Sequence, residues 1–583
     1  MQFFSPWHHL TLYVCKTEFP PFQILKMPNF RSRTTIWITL SLLVLLSACK
    51  WLGNKPEPAT PVNNQPVLVM PEPSVTFSGD YADDWKIVDS LEKKGLFKSA
   101  LEKVEAIQAR AQADKKQPQV LKALLFRGKY TAQLEEDGFV KAVQLLEKEE
   151  KTAAQPEKSL LQSMLGQLYA TFLSQQGWSI TERTPIPDGE GGDILTWSAA
   201  QIEKRALELY NTSVSDEGAL SAIPISDFED VISPGQNDSI ANAALRPTLY
   251  DLVAHRAIDH FMNERNYLTE PAYAFQLDQE KAFADREVFQ NEVFVSQDTS
   301  SGKLMALRLF QKLLRHHASS NTGDPKARQS RQIDIDLKRL QFVFANSVRE
   351  DKNALYVKAL ERLHESAQNH PSQSEIAYQL ASFLFYSSEQ DKSRNTKKAI
   401  ALCEDAVRQH PGSYGENLCR QLLAQIKATS LDITVEQVSL PEKNSLVQLS
   451  FRNLTRAYLK VVRANPDNLR SIDRMSWEER LPYLLTMKEV QQREWAIPDP
   501  GDYQQHTTEL ALDGLPRGYY CVLVSDNPSF TGQSGHVSFA AFAVVPLPLN
   551  GSKTKSPGLL QVEMKSTAIA IGNGAGCPCF SFP

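Results

Sequence analysis

Residues 377–413 read AYQLASFLFYSSEQDKSRNTKKAIALCEDAVRQHPGS, and residues 431–465 read LDITVEQVSLPEKNSLVQLSFRNLTRAYLKVVRAN. The change of texture between these two stretches decides the fold class. In the first, Ala377, Tyr378, Leu380 and Ala381 share one helix, Ala399, Ile400 and Ala406 share the next, and Pro411 closes it. Small residues let paired helices approach closely, and proline cannot continue a helix. In the second, apolar and polar residues alternate over short runs, as they do again in GYYCVLVSDNPSFTGQSGHVSFAAFAVV from Gly518. Period-two alternation with β-branched residues and Pro/Gly/Asn turns predicts an antiparallel β-sandwich over 431–548. The join near 430 is thus a domain boundary.

Upstream of the join the pattern stays helical. KALERLHESAQNHPS, ending at Ser372, fits the second helix of an earlier unit, so 346–430 resembles tetratricopeptide repeats. From Tyr81, DDWKIVDSLEKKGLFKSALEKVEAI places Trp85, Val88, Leu91, Ala100, Leu101, Val104 and Ile107 at spacings of three and four, with Gly95 breaking the run in two. QVLKALLFRGKYTAQLEE, FVKAVQLLEKEEKTA and SLLQSMLGQLYATFLSQQG repeat the theme. Short amphipathic helices in succession predict an α-solenoid rather than a closed bundle. The helical domain covers 80–345 and the architecture is a multidomain α plus all-β one, an α-solenoid followed by one sandwich.

The other end of the chain carries an export signal. Residues 27–50 read MPNFRSRTTIWITLSLLVLLSACK: Arg31 and Arg33 form a positive region, Ile36 to Leu46 a short apolar one, and Leu46-Ser47-Ala48-Cys49 follows. Such a run is too short to span ~30 Å of hydrocarbon, so 27–48 reads as a signal peptide. The four residues resemble a bacterial lipobox, which makes Cys49 the lipidation site and the anchor to a membrane. Lys50 is not the aspartate that retains lipoproteins in an inner membrane, which points to the outer membrane, facing the periplasm or the surface. Residues 1–26 play no part in this signal, and Met27 reads as the start. The Pro-rich stretch 49–79 cannot bury enough apolar surface to fold and reads as a tether.

Bulk composition excludes several classes. The chain has 583 residues, 42% hydrophobic and 22% charged, with a formal net charge of -5. That balance argues against a nucleic-acid partner, which needs a basic stripe to neutralise phosphates. The seven cysteines (Cys15, Cys49, Cys403, Cys419, Cys521, Cys577 and Cys579) form no CxxC pair, and a small disulfide-stapled scaffold is excluded.

Catalytic and cofactor motifs are missing from the sequence: there is no HExxH, GxxxxGK[ST], GxSxG or dinucleotide fingerprint. His255 and His260 lie five apart on one helix, which does not put both on one face for a metal; they read as structural. Arg315-His316-His317 reads as a surface helix terminus, where cations suit the dipole. Ser90 and Lys93 have the spacing of a Ser-Lys nucleophile without its companion motifs. Asp83-Asp84 and Glu135-Glu136 read as solvated faces, and Cys577-Pro-Cys579 offers too few thiolates for a zinc site. The expectation is a non-enzyme with no catalytic, cofactor or metal residues.

Three phrases carry a family resemblance: DDWKIVDSLEKKGLFKSALEKVEAI; IPISDFEDVI with LRPTLYDLVAHRAIDHF; and LVQLSFRNLTRAYLKVVR with LDGLPRGYYCVLVSD. From Tyr81 to about Val545 the chain resembles the N-terminal part of the large bacterial alpha-2-macroglobulin-like proteins of the Bacteroidetes type. Leu245 to Asp251 is the most distinctive segment. The resemblance implies a helical region ahead of macroglobulin-type β-sandwiches and an endopeptidase inhibitor: a protease cuts a bait segment, the ring collapses around it, and in some members a Cys-x-Glu-Gln thioester acylates it. No cysteine here is followed by x-Glu-Gln, and 549–583 matches neither strand nor helix patterning, as in a truncated or frame-shifted product. Two functional readings follow: the anchoring and interaction part of such a protease trap, or a stand-alone tetratricopeptide-like scaffold binding a protein at the cell envelope.

Overall fold

The computed structural model describes residues 79–546, apart from 182, 184–193, 230, 232–243, 264–270, 320–323, 388–390, 499 and 532–535. Cys49 and its signal, the tether, the tail and Cys15, Cys577 and Cys579 all lie outside the described residues. The chain forms two compact units: one takes residues up to 275 and 294–313, the other 276–293 and everything from 314.

The first unit opens with helices α1 (Ala82–Lys93), α2 (Phe97–Ala113), α3 (Gln117–Leu134), α4 (Gly138–Thr152) and α5 (Glu157–Thr181), each packed on the next. Gly95 does divide α1 from α2: its φ of 73° is open to glycine and costly for other residues. The three-and-four spacing closes a core of Trp85, Val88, Ala100, Val104, Ile107 and Phe126. Trp85 is its hub, 1% exposed, 4.8 Å from the Phe126 ring and donating its indole N–H to Gln119 Oε1 at 2.7 Å.

Next come α6 (Ala199–Ser213), α7 (Glu217–Ser221) and α8 (Leu249–Met262). The two parts of the phrase around Leu245–Asp251 meet here. Ile225 N–H donates to Pro247 O at 2.9 Å and Leu249 N–H donates to Ile223 O at 3.1 Å, so IPIS and RPTL are zipped by their backbones. Thr248 and Asp251 then form a reciprocal cap on α8. Thr248 Oγ1 accepts from Asp251 N–H, and Asp251 Oδ2 accepts from Thr248 N–H at 3.1 Å, which satisfies donors that a helix start leaves unpaired.

In the second unit, residues 276–293, including α9 (Arg286–Asn291), are held by arginines. α10 (Gly302–Ser319) leads through the point where the chain divides to α11 (Pro325–Asn346) and α12 (Lys352–Ser366). Arg339 of α11 is 1% exposed; it pairs with Asp336 at 2.7 Å, donates to Ala282 O and Ala284 O at 2.7 and 3.0 Å, and lies 4.4 Å over Phe289. Arg349 donates to Asp278 O and Arg362 to Phe283 O, both at 2.9 Å. Two helix pairs follow: α12 with α13 (Gln373–Tyr386), and α14 (Lys392–Gln409) with α15 (Tyr414–Lys427). Each pair turns on a His-Pro step, at His370 and His410, and the turns touch through Ser374 Oγ and Ser413 Oγ at 2.9 Å and His410 Nε2 and Gln373 Oε1 at 3.0 Å.

Helix gives way to strand between Lys427 and Ser430. The strands are β1 (Ser430–Val435), β2 (Val438–Ser439), β3 (Ser445–Arg452), β4 (Arg456–Ala464), β5 (Glu489–Ala496), β6 (His506–Leu512), β7 (Gly518–Ser525) and β8 (Val537–Val544). They form a three-stranded sheet β1-β3-β6 and a five-stranded sheet β2-β8-β7-β4-β5. One core takes side chains from both, among them Ile433, Val447 and Leu449 from the first and Leu459, Val522 and Phe542 from the second. Tyr520 seals the edge of that core, its hydroxyl donating to Pro516 O at 2.8 Å. The exchange with the helices is direct: Asn453 Nδ2 donates to Ile426 O and Ala428 O at 2.8 and 3.0 Å, taking up carbonyls that the end of α15 leaves free.

Two details depart from the all-strand expectation for 431–548. Residues between β4 and β5 form helices α16 (Pro466–Arg474) and α17 (Trp477–Leu485), which pack Ile472 and Leu484 against Cys521 and Leu523 on the outer face of the larger sheet. That is why β7 is buried on both faces and loses the alternation of a half-exposed strand. The β2–β8 pair is also parallel, so the larger sheet is mixed.

Candidate functional site

The residues singled out from sequence go to different places. Lys93 pairs with Asp89 at 2.7 Å along the exposed side of α1. Glu135 pairs with Lys141 at 2.8 Å. Asp84 is more than a solvated face: it is bound by Lys103 at 2.7 Å and Arg110 at 2.9 Å, and the Lys103 ammonium in particular holds it below the usual carboxylate range. Arg315 is exposed near the end of α10, but His317 is buried at 2% exposure, which corrects the reading of that triplet as a surface terminus. The helical period turns His317 back toward the core, whereas Arg315 points out.

His255 and His260 are both buried on α8. His260 Nε2 lies 3.3 Å from Glu203 Oε1 of α6, and its ring stacks on Tyr210 with centroids 4.5 Å apart. Tyr210 in turn lies flat on Gly166 of α5, where a Cβ would come within 2.8 Å of the ring. A carboxylate–imidazole pair is the raw material of general acid–base catalysis. Here both partners are about 5% exposed or less, at 5% for His260 and 4% for Glu203, so the pair meets packing atoms rather than a substrate. Helical period separates His255 from His260 in sequence, but Glu203 sits on another helix far away in the chain, where no local pattern joins it to His260.

A second titratable group gathers at the His-Pro turns. His370 Nδ1 accepts from Ser372 N–H at 3.2 Å, and Gln373 Nε2 donates to His364 O at 3.1 Å. Burial, helped by the charge of His410, holds His364 below its ordinary value, and burial with His370 does the same to His410. Glu375 moves the other way, pushed up to about 7 by burial and by Asp334. These shifts oppose one another in their effect on stability and mark a polar joint between helix pairs.

An open groove of about 450 Å³ lies over α2, α3 and α4. Leu101 and Leu145 supply its apolar part, and Glu105, Glu135, Arg127, Lys141 and Lys148 line it with both signs of charge. Arg127 is pre-positioned by a 2.8 Å bond to Gln108 Oε1 and lies 3.7 Å from Glu149. Among the described residues, no cluster of three His, Cys, Asp or Glu side chains is placed to hold a metal, and no helix is long and apolar enough to cross a membrane. Compared with models of known protein families and with curated proteins, the chain matches none of them.

Proposed function

We propose that this chain is the anchoring and interaction part of an alpha-2-macroglobulin-like endopeptidase inhibitor at the bacterial cell envelope, acting through protein contacts and tethered by lipid on Cys49. In this reading 80–430 is a helical solenoid ending in tetratricopeptide-like pairs, and 431–548 is a macroglobulin-type sandwich. One observation carries it: the three phrases behind the family resemblance fall on packing joints. DDWKIVDSLEKKGLFKSALEKVEAI supplies the Trp85 core, the paired phrases 223–232 and 245–261 form the zipped joint and cap of α8, and the last pair supplies β3, β4 and β7 of the shared core. Residues that fix a fold at several separate joints are a better sign of kinship than surface residues, because each is constrained by packing.

The test is the gene beyond codon 545, translated in all frames. Further macroglobulin-type domains with a Cys-x-Glu-Gln segment are expected; a continuation without any of them overturns the reading. The groove over α2–α4 favours a second reading, a tetratricopeptide-like envelope scaffold for a protein partner. Protease assays on the whole product of the locus separate the two. A trap blocks cleavage of large substrates and spares small peptides, whereas a scaffold changes neither.

A further inference from the structure

We propose that Cys403 and Cys419 are the two halves of an intramolecular disulfide that staples α14 to α15. The two helices form a hairpin turning at His410-Pro411-Gly412-Ser413, and the two cysteines stand at equal distances in sequence on either side of Pro411. Equal rise from the turn sets them at the same depth on facing helices. Both are fully buried on packed helices and stand as free thiols in the structure, each shifting the other's acidity. Cys419 Sγ also donates to Ser374 O on α13 at 3.7 Å, which fixes its direction. On α14 the buried neighbours Ala399 and Ala406 are small, which favours the close helix approach that a disulfide, with Cα atoms about 4.4–6.8 Å apart, needs.

The third buried cysteine provides the contrast. Cys521 of β7 has Val462 and Ala541, not a second cysteine, as its cross-strand neighbours. With α15 still undocked, one of the two thiols, for example Cys419, loses its proton first. The Cys419 thiolate attacks one sulfur of a disulfide-bearing oxidant, breaking that bond and releasing one thiolate, which takes up a proton. Cys403 then gives up its proton and displaces the second oxidant sulfur from the mixed disulfide. Two protein thiols lose two protons and two electrons, and the oxidant's disulfide becomes two thiols. Because the closed hairpin seals both sulfurs, the exchange occurs while α15 is still undocked. Only the compartment in which the oxidant is met rests on the envelope reading.

The experiment folds the full chain in glutathione disulfide buffer and digests it with trypsin without reduction. Cleavage at Lys398, Arg408 and Arg420 puts the two cysteines on separate peptides, 399–408 and 409–420. The expected product is these two peptides joined, two hydrogens lighter than their sum and separated by reductant, with Cys521 alkylated only after unfolding. Recovering Cys403 and Cys419 both as free thiols overturns the proposal. Cys403→Ala is expected to leave Cys419 open to alkylation in the unfolded chain. In the Cys403→Ala/Cys419→Ala variant, reductant is expected to stop lowering the unfolding midpoint; a drop equal to that of the unsubstituted chain overturns the staple. A bridge formed in the test tube but reduced in protein taken from cells counts against the envelope reading and leaves the pairing standing.

Discussion

Trp85 and Arg339 hold the same place in the two units and do so by opposite chemistry. Both are 1% exposed. Trp85 gathers aromatic and aliphatic neighbours and needs one hydrogen bond, to Gln119, to bury its N–H. Arg339 buries a charge, and its place is tolerable only because Asp336 and the carbonyls of Ala282 and Ala284 take up its donors. Desolvation pulls the guanidinium down and Asp336 opposes that pull. The first hub gains from apolar area removed from water and tolerates imperfect neighbours. The second depends on every partner being present.

That difference can be broken experimentally. Arg339→Ala leaves Asp336 buried and two carbonyls without donors, and is expected to cost about 5 kcal/mol and to open 276–293 to limited proteolysis. Adding Asp336→Leu to Arg339→Met is expected to recover most of the loss in urea unfolding; an equal loss in single and double variants would mean that the charges are not coupled. Trp85→Ala is expected to cost about 4 kcal/mol by emptying the α1–α3 core, with no companion substitution able to restore it.

The titratable joint at the His-Pro turns gives the next largest effect. Glu375, raised from 4.5 to about 7 in the folded chain, is most favourable when protonated, so its contribution is full below pH 4.5 and is lost as pH rises through 7. Glu375→Gln removes that loss and is expected to raise stability by about 3 kcal/mol at pH 8 and to leave it nearly unchanged at pH 4. His364 and His410 work in the opposite sense: their folded values lie below 6.5, so their contribution is present above that pH and is lost as pH falls through it. A stability profile of the Glu375→Gln variant that still falls between pH 5 and 7 would remove Glu375 as the cause. The smallest expected effect is Asn453→Ala, about 1 kcal/mol, read as faster amide exchange in the last turn of α15.

The same contrast shows what was legible in the sequence. Trp85, Val88, Val104 and Ile107 announce their core by spacing, and β3 and β4 announce theirs by alternation, because apolar burial leaves a period. Gly95 marks its turn because few other residues accept its φ. Arg339 left no such mark: a buried arginine reads as a polar residue on the wrong side of α11, and its partners Ala282 and Ala284 matter through carbonyls that every residue has. For the same reason 276–293 did not read as part of a unit with 314–427. The insertion of α16 and α17 was hidden by an expectation of continuous strand, although Asn465-Pro466 and Ser476 begin both helices with capping residues. Of the candidate site, single residues were visible, but Glu203 beside His260 and the walls of the α2–α4 groove come from different helices, and no local pattern joins them.

The arginine-held segment has a consequence for synthesis. Residues 276–293 leave the ribosome before Arg339, Arg349 and Arg362, whose side chains claim the carbonyls of 278, 282, 283 and 284. At about 5–20 residues per second the segment waits roughly 4–16 s for its last partner. Until then the carbonyls of 278, 282, 283 and 284 have no arginine to claim them.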